Sequence, residues 1–367
     1  MQYPVLEINL KKLKYNAKME FDYLHKYGID VMGVNKVFNG TPETALAIVE
    51  SGYTVVAEAV TANLKKIKDI PCEKALLRSP GLSEIPDVIT YADISLVAEA
   101  ETIKALSKEA VKQNRLHKAL LMIDMGDIRE GIWYENREEI ETALELILDL
   151  PGLEVYGLGT NFGCYGTILP TPENTMAFIE LARQLEKKFD IKFKYLSGGN
   201  CTSYHLVAQG IMPKEINQLR IGAQHLFGIE YVEEKYLEGY CHSSKDVKNY
   251  ASDSYILKCE IIELRDKPTV PVGELGLDSF MKTKTFIDHG IRKQAVLALG
   301  LQDVSFENIH PVDERIRVFG QTSNHTIIDL GDTEGAYRLG DIIDFEIDYT
   351  ALMAICNSSN IHKIFID

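Results

Sequence analysis

Val31-Met32-Gly33-Val34-Asn35-Lys36-Val37, followed by Phe38-Asn39-Gly40 and then Thr41-Pro42-Glu43, is a complete strand, turn and helix start written in thirteen residues. The apolar run suits a buried strand, Asn-Gly marks the turn, and Thr before Pro is a helix N-terminus with proline in the first helical turn. The grammar repeats outward from this segment. Short apolar runs at Val31 to Asn35, Thr54 to Glu58, Lys74 to Arg78, Asp93 to Val97, Ala119 to Asp124, Val155 to Thr160, Phe193 to Ser197 and Ile216 to Gly222 alternate with helical patterns. Two of those patterns, Thr44 to Glu50 and Glu138 to Leu150, stop at Ser51-Gly52 and Pro151-Gly152, where glycine or proline should stop them. Eight such units predict an α/β chain whose first part is a closed (β/α)8 barrel.

After about residue 240 the period changes to two, in Tyr255 to Ile261, Thr326 to Leu330 and Asp341 to Ile347. A mostly β domain is expected there, with Val5 to Asn9 contributing a strand. The expected division is 12–235 for the barrel, and 1–11 with 236–367 for the β domain.

The whole chain has 367 residues, 46% hydrophobic, and a formal net charge of -15. That balance argues against nucleic acid and anionic membrane surfaces as partners, since both need a clustered positive field. Six scattered cysteines without a C-x-x-C pair, and histidines without metal spacing, point to reduced thiols, no structural metal and a cytoplasmic protein. The opening residues carry no basic segment followed by an apolar one, and no apolar run is long enough to span a bilayer.

A barrel gathers the C-terminal ends of its strands into one mouth, and polar residues collect at those ends. Lys36, Glu58, Arg78, Asp124 with Arg129, Asn161, Ser197 to Asn200, and Arg220 with Gly222 all fall there. Any strand leaving a core must meet polar residues, so each position taken singly is as readily structural. Lys36 is a candidate Schiff-base nucleophile, although most strand-end lysines are solvated surface groups. Ser197-Gly198-Gly199-Asn200-Cys201-Thr202-Ser203 after the seventh run and Arg220-Ile221-Gly222-Ala223 after the eighth are phosphate-type turns, in which backbone N–H groups and the Thr202 or Ser203 hydroxyls suit a dianion. Gly157-Leu158-Gly159-Thr160-Asn161-Phe162-Gly163 has the wrong spacing for a dinucleotide loop. A lysine on strand one and a phosphate cradle on strands seven and eight together suit pyridoxal 5'-phosphate.

With these motifs in place, the chain resembles the fold-type-III pyridoxal phosphate enzymes, the alanine-racemase-like family, and within it the ornithine racemase branch. Leu6 to Asn16 is similar to the family's opening strand and helix, and Asp124-Met125-Gly126-Asp127-Ile128-Arg129-Glu130-Gly131 resembles its Asp-x-Gly-x-x-Arg-x-Gly stretch. The resemblance implies that Lys36 carries the cofactor, that Arg129 helps hold substrate, and that Arg220 faces the pyridine nitrogen. It also implies that Asn161, Asn200, Thr202, Ser203, Gly222 and Ala223 line the cofactor and that Tyr349 contacts its phosphate. Asn161 stands where alanine racemases carry histidine. The implied activity is racemisation of an amino acid, ornithine or another basic one, in a homodimer whose sites are completed across the interface.

Two departures refine this reading. Phe38-Asn39-Gly40 replaces the Tyr-Gly-His that follows the lysine in alanine racemases, which argues against alanine as the dedicated substrate. Gly300-Leu301-Gln302-Asp303 corresponds to the loop that supplies the opposite-face tyrosine, and leucine exchanges no proton. His325, in Gly320-Gln321-Thr322-Ser323-Asn324-His325, is the first candidate to replace it and Asp303 the second. The plain alternative for His325 is a surface histidine at a strand start. Rival functions are an alanine racemase, a lyase, decarboxylase or aldolase on the same fold, and a non-catalytic cofactor-binding protein.

Overall fold

The computed structural model describes residues 2–222, 225–226, 251, 253–278 and 280–367. They divide into two compact units, Leu10–Ser252 and Met1–Asn9 with Asp253–Asp367.

In the first unit eight parallel strands close on themselves. They are Asp30–Val34, Val55–Glu58, Glu73–Leu76, Ile94–Val97, His117–Asp124, Leu153–Gly159, Tyr195–Ser197 and Gln218–Ile221. The ring closes where the eighth strand pairs with the first, Arg220 opposite Met32 and Ile221 opposite Gly33. Every expected apolar run is a strand, each displaced by no more than a few residues. Side chains alternate as a pleated strand demands. Met32, Val34, Val55, Ala57, Ala75, Leu96, Leu120 and Met122 fill the barrel interior. Val31, Val56, Leu76, Leu121, Leu158, Leu219 and Ile221 face the surrounding helices. Gly33 is small for a reason, because a Cβ there would lie 2.4 Å from the Ile48 side chain.

The second unit is an antiparallel sheet built on the long strand Tyr255–Pro268. Its neighbours are Val5–Asn9, Ile342–Ile347 and Ile291–Leu297. Val5–Asn9 also pairs in parallel with His362–Ile366, so the chain's first strand joins its last. The alternating burial of Tyr255 to Ile261 matches its period-two sequence. One helix, Tyr349–Asn357, interrupts the β pattern.

Candidate active site

The first βα turn is built as its sequence reads. Lys36–Phe38 forms a single 3-10 turn and Asn39 takes a left-handed conformation with φ 53°. Gly40 follows at φ 72°, with Asn63 so close that a Cβ would meet its backbone at 2.8 Å. Pro42–Glu50 is the helix, entered through Thr41. Lys36 itself is exposed at the C-terminal end of the barrel.

Its neighbour Asn35 is fully buried and faces the other way. The Asn35 Nδ2 donates to Glu58 Oε1 at 2.8 Å, and its Oδ1 accepts from the Thr44 hydroxyl at 2.8 Å. Glu58 Oε2 accepts from Asn63 Nδ2 at 3.3 Å. Burial pushes the Glu58 carboxyl up to about 7, against the pull of its amide donors and of Lys66.

On the adjacent strand, Leu219 and Ile221 face the helices, so Arg220 points into the barrel. It is 4% exposed. Its guanidinium donates to Ser197 Oγ and to the Thr160 carbonyl, both at 2.6 Å. Burial brings its pKa down to about 10, with Glu130 working against the fall, so it stays charged at neutral pH.

The turn after the seventh strand is closely packed. Gly199, at φ 120°, would place a Cβ 2.5 Å from Ser203 Oγ, and at Gly222 a Cβ would come within 3.2 Å of Val34. Both hydroxyls expected to face a phosphate donate inward here: Ser203 to the Gly198 carbonyl, and Thr202 to Asn200 Oδ1 and the Phe162 carbonyl. Asn200 Nδ2 donates to Asn161 Oδ1 at 3.0 Å. The Asn161 Nδ2 and the Thr160 hydroxyl are buried without a partner. Ala223 lies outside the described residues.

Arg129 pairs with Glu130 on the loop after the fifth strand. That loop is clamped by two carboxylates. Asp124 Oδ1 accepts from the amides of Gly126 and Ile128, and the buried Asp127 accepts from the amides of Cys164 and Tyr165. Ile128 is held at φ 49°, a conformation unfavourable for a β-branched side chain, so the clamp offsets real backbone strain. Arg78 is spent on Glu84 and does not join this group.

In the second unit, Tyr349 begins the helix Tyr349–Asn357. His325 is exposed on the tight turn between strands Arg317–Gln321 and Thr326–Asp329, its carbonyl accepting from Thr322 N. Leu301 N donates to the Thr322 carbonyl, so that turn and the Gly300–Asp303 loop are neighbours. Asp303 is 5% exposed and accepts from Ser358 Oγ and Asn360 Nδ2 at 2.7 and 3.0 Å. Its Oδ1 braces the chain after the helix.

The sequence reading passed over Asn35, Asn63 and Asp127. Asn35 follows directly on a strand and Asp127 lies three residues past one, which was the available signal; Asn63 sits inside the helix Thr61–Lys66, and only the fold supplies their partners. The residues present fit a phosphorylated, planar, aldehyde-bearing ring. There is an exposed lysine, a buried cation on the neighbouring strand, a backbone cradle that a Cβ would fill, and an orphaned amide donor at Asn161. Among the described residues, no group of three or more His, Cys, Asp or Glu could hold a metal ion, and no helix is long and apolar enough to cross a membrane.

Comparison with known proteins agrees with this architecture. The chain is 35% identical to an ornithine racemase of Acetoanaerobium sticklandii over 98% of its own length and 99% of the relative's. It is 32% identical to a lysine racemase of Thermotoga maritima, covering 100% of this chain and 99% of that one. A cycloserine complex of alanine racemase from Clostridium difficile 630 superposes with a TM-score of 0.74 at 17% identity, covering 100% of this chain and 96% of the other, which shows a common fold. Residues 8–229 match the family model described as the alanine racemase N-terminal domain, and the chain therefore belongs to the alanine racemase family.

Proposed function

We propose that the chain is a pyridoxal 5'-phosphate-dependent racemase of a basic amino acid, ornithine foremost. The observation that carries this reading is the pairing of the first and eighth barrel strands, which sets an exposed lysine beside a buried arginine at one barrel mouth. The full-length relatives, an ornithine and a lysine racemase, support the substrate class. The alanine racemase family is pyridoxal phosphate-dependent, and the cofactor supplies an electron-withdrawing ring conjugated to the substrate's Cα.

Lys36 would hold the cofactor's aldehyde, and its amine would be the base for the Cα proton on one face. Arg220 would face the ring nitrogen. A charged guanidinium there would disfavour protonation of that nitrogen. That suits racemisation over transamination. The unpartnered Asn161 Nδ2 would be free to donate to a ring oxygen, while Asn200 keeps the amide in place. Gly222 and the turn at Thr202 and Ser203 would receive the phosphate. Arg129 exchanges Glu130 for the substrate carboxylate. The opposite face is served by His325, and the protein works as a homodimer in the cytoplasm, each site completed by the second copy.

One observation favours a second reading. Leu301 stands where a proton carrier is expected, and a lyase, decarboxylase or aldolase of this fold needs proton exchange on one face only. Incubating the purified protein with each L-amino acid and separating the enantiomers decides between them. Accumulation of D-ornithine from L-ornithine supports racemisation, and loss of ornithine without its enantiomer rejects it.

A further inference from the structure

Glu58 ends the second barrel strand, and strand alternation turns it away from the mouth toward the helices, on the side of Val56. It has 0% exposure and its carboxylate oxygens meet amide donors. Such a group is expensive to bury and is retained only where its hydrogen bonds hold something. What they hold is Asn35. The Asn35 backbone N–H donates to the Ala57 carbonyl at 2.9 Å and its carbonyl accepts from Phe38 N at 3.0 Å, closing the turn. Its side chain spans Thr44 and Glu58. Every polar group of Asn35 is thus committed, and the next residue is Lys36. Lys66 completes the brace by donating to the Asn39 carbonyl at 2.7 Å.

We propose that Glu58 is a positioning residue for Lys36, holding through Asn35 the turn from which the lysine projects. This rests on the reading of Lys36 as the cofactor-bearing residue. As a carboxylate, Glu58 accepts at both oxygens, from Asn35 on one and Asn63 on the other, with Gly40 N as a further donor. As the acid, one oxygen must turn a hydrogen toward a donor, and the brace loosens. The charged group facing it is Lys66, on the helix Thr61–Lys66; Thr44 on Pro42–Glu50 and Asn35 and Gly40 on the turn do not titrate. The carboxyl's ordinary value is 4.5 and burial pushes it up to about 7. Folding therefore takes up a proton in that window. The contribution to stability falls as pH rises from 4.5 through about 7, while the brace tightens.

The test uses the full chain, parent and Glu58→Gln, mixed with pyridoxal 5'-phosphate and quenched with borohydride at intervals across this pH window. Pyridoxyl-Lys36 is counted by peptide mass spectrometry, and thermal unfolding is followed in parallel. The parent should show a step in attachment rate near pH 7. Glu58→Gln should lack the step and attach about tenfold more slowly above it, since a braced donor is left unpaired. Glu58→Asp should restore part of the step. A purely structural role would lower the melting temperature of Glu58→Gln and leave the pH profile of attachment as in the parent, and that result overturns the proposal. A parent that takes the cofactor on another lysine would instead overturn the reading of Lys36, and this inference with it.

Discussion

The turn carrying Lys36 and the turn carrying His325 are both tight, each borders a strand, and each carries an exposed ionisable side chain. They differ in what stands behind them. Behind Lys36 lie Asn35, Thr44 and Glu58, all at 0% exposure and joined by hydrogen bonds. Around His325, Thr322, Ser323 and Asn324 are exposed, and the turn is held by its own backbone, a threonine hydroxyl and the amides of Leu301 and Gln302. Behind it the buried Gln321 and Thr326 side chains bind each other and neutral backbone groups, with no carboxylate among them. A reacting group needs its geometry set before substrate arrives, and buried polar partners are the means of setting it. The comparison teaches that an ionisable residue at a strand end becomes a credible reacting group through a buried carboxylate bound to the residue beside it.

The contrast is broken most severely by Lys36→Ala. If the braced turn holds the nucleophile, this change should abolish borohydride-trapped cofactor and lower racemisation by more than about a thousandfold. Pyridoxyl recovered on a different lysine would refute the assignment. Arg220→Glu comes next. It removes the bonds to Ser197 and the Thr160 carbonyl and places a carboxylate opposite the ring. Racemisation should fall about a hundredfold, with retained cofactor and a new long-wavelength absorbing species and transamination product. An unchanged rate and spectrum would mean that Arg220 does not face the pyridine.

Asp127→Ala sharpens the comparison within the barrel mouth, because it releases the Cys164 and Tyr165 amides and the strained Ile128 loop without touching Lys36. It should cost roughly 1–3 kcal/mol of stability and raise KM with less effect on kcat. Chemical unfolding and steady-state kinetics measure both, and a fall in kcat at constant KM would count against a substrate-side role for the loop. His325→Gln should have the smallest effect. An exposed histidine can be replaced in part by water, so the loss should be under about tenfold and confined to one enantiomer. Exchange of the Cα proton in heavy water, followed for each enantiomer, reads this directly. Equal loss from both, or loss from neither, would remove His325 from the opposite face.

What could be read before folding follows from short-range rules. Glycine and proline punctuation around apolar runs sets where strands end, so the barrel, the phase of its mouth, and the places of Lys36, Arg129, Asn161 and Arg220 were legible. The strand Val5–Asn9 was found from its alternation alone, although its partners Tyr255–Pro268 and His362–Ile366 lie at the far end of the chain. Nothing local signalled that the Thr202 hydroxyl reaches the Phe162 carbonyl, 40 residues away, or that Asp303 accepts from Ser358, 55 residues away. Asn35 finds Glu58 across 23 residues, and Asp127 finds Cys164 across 37. The pattern of apolar and turn residues determines which side chains arrive at the mouth, because secondary structure depends on near neighbours. Which of them arrive already paired, and so which remain available for chemistry, is decided only when the ring of eight strands closes and brings distant donors and acceptors within hydrogen-bond reach.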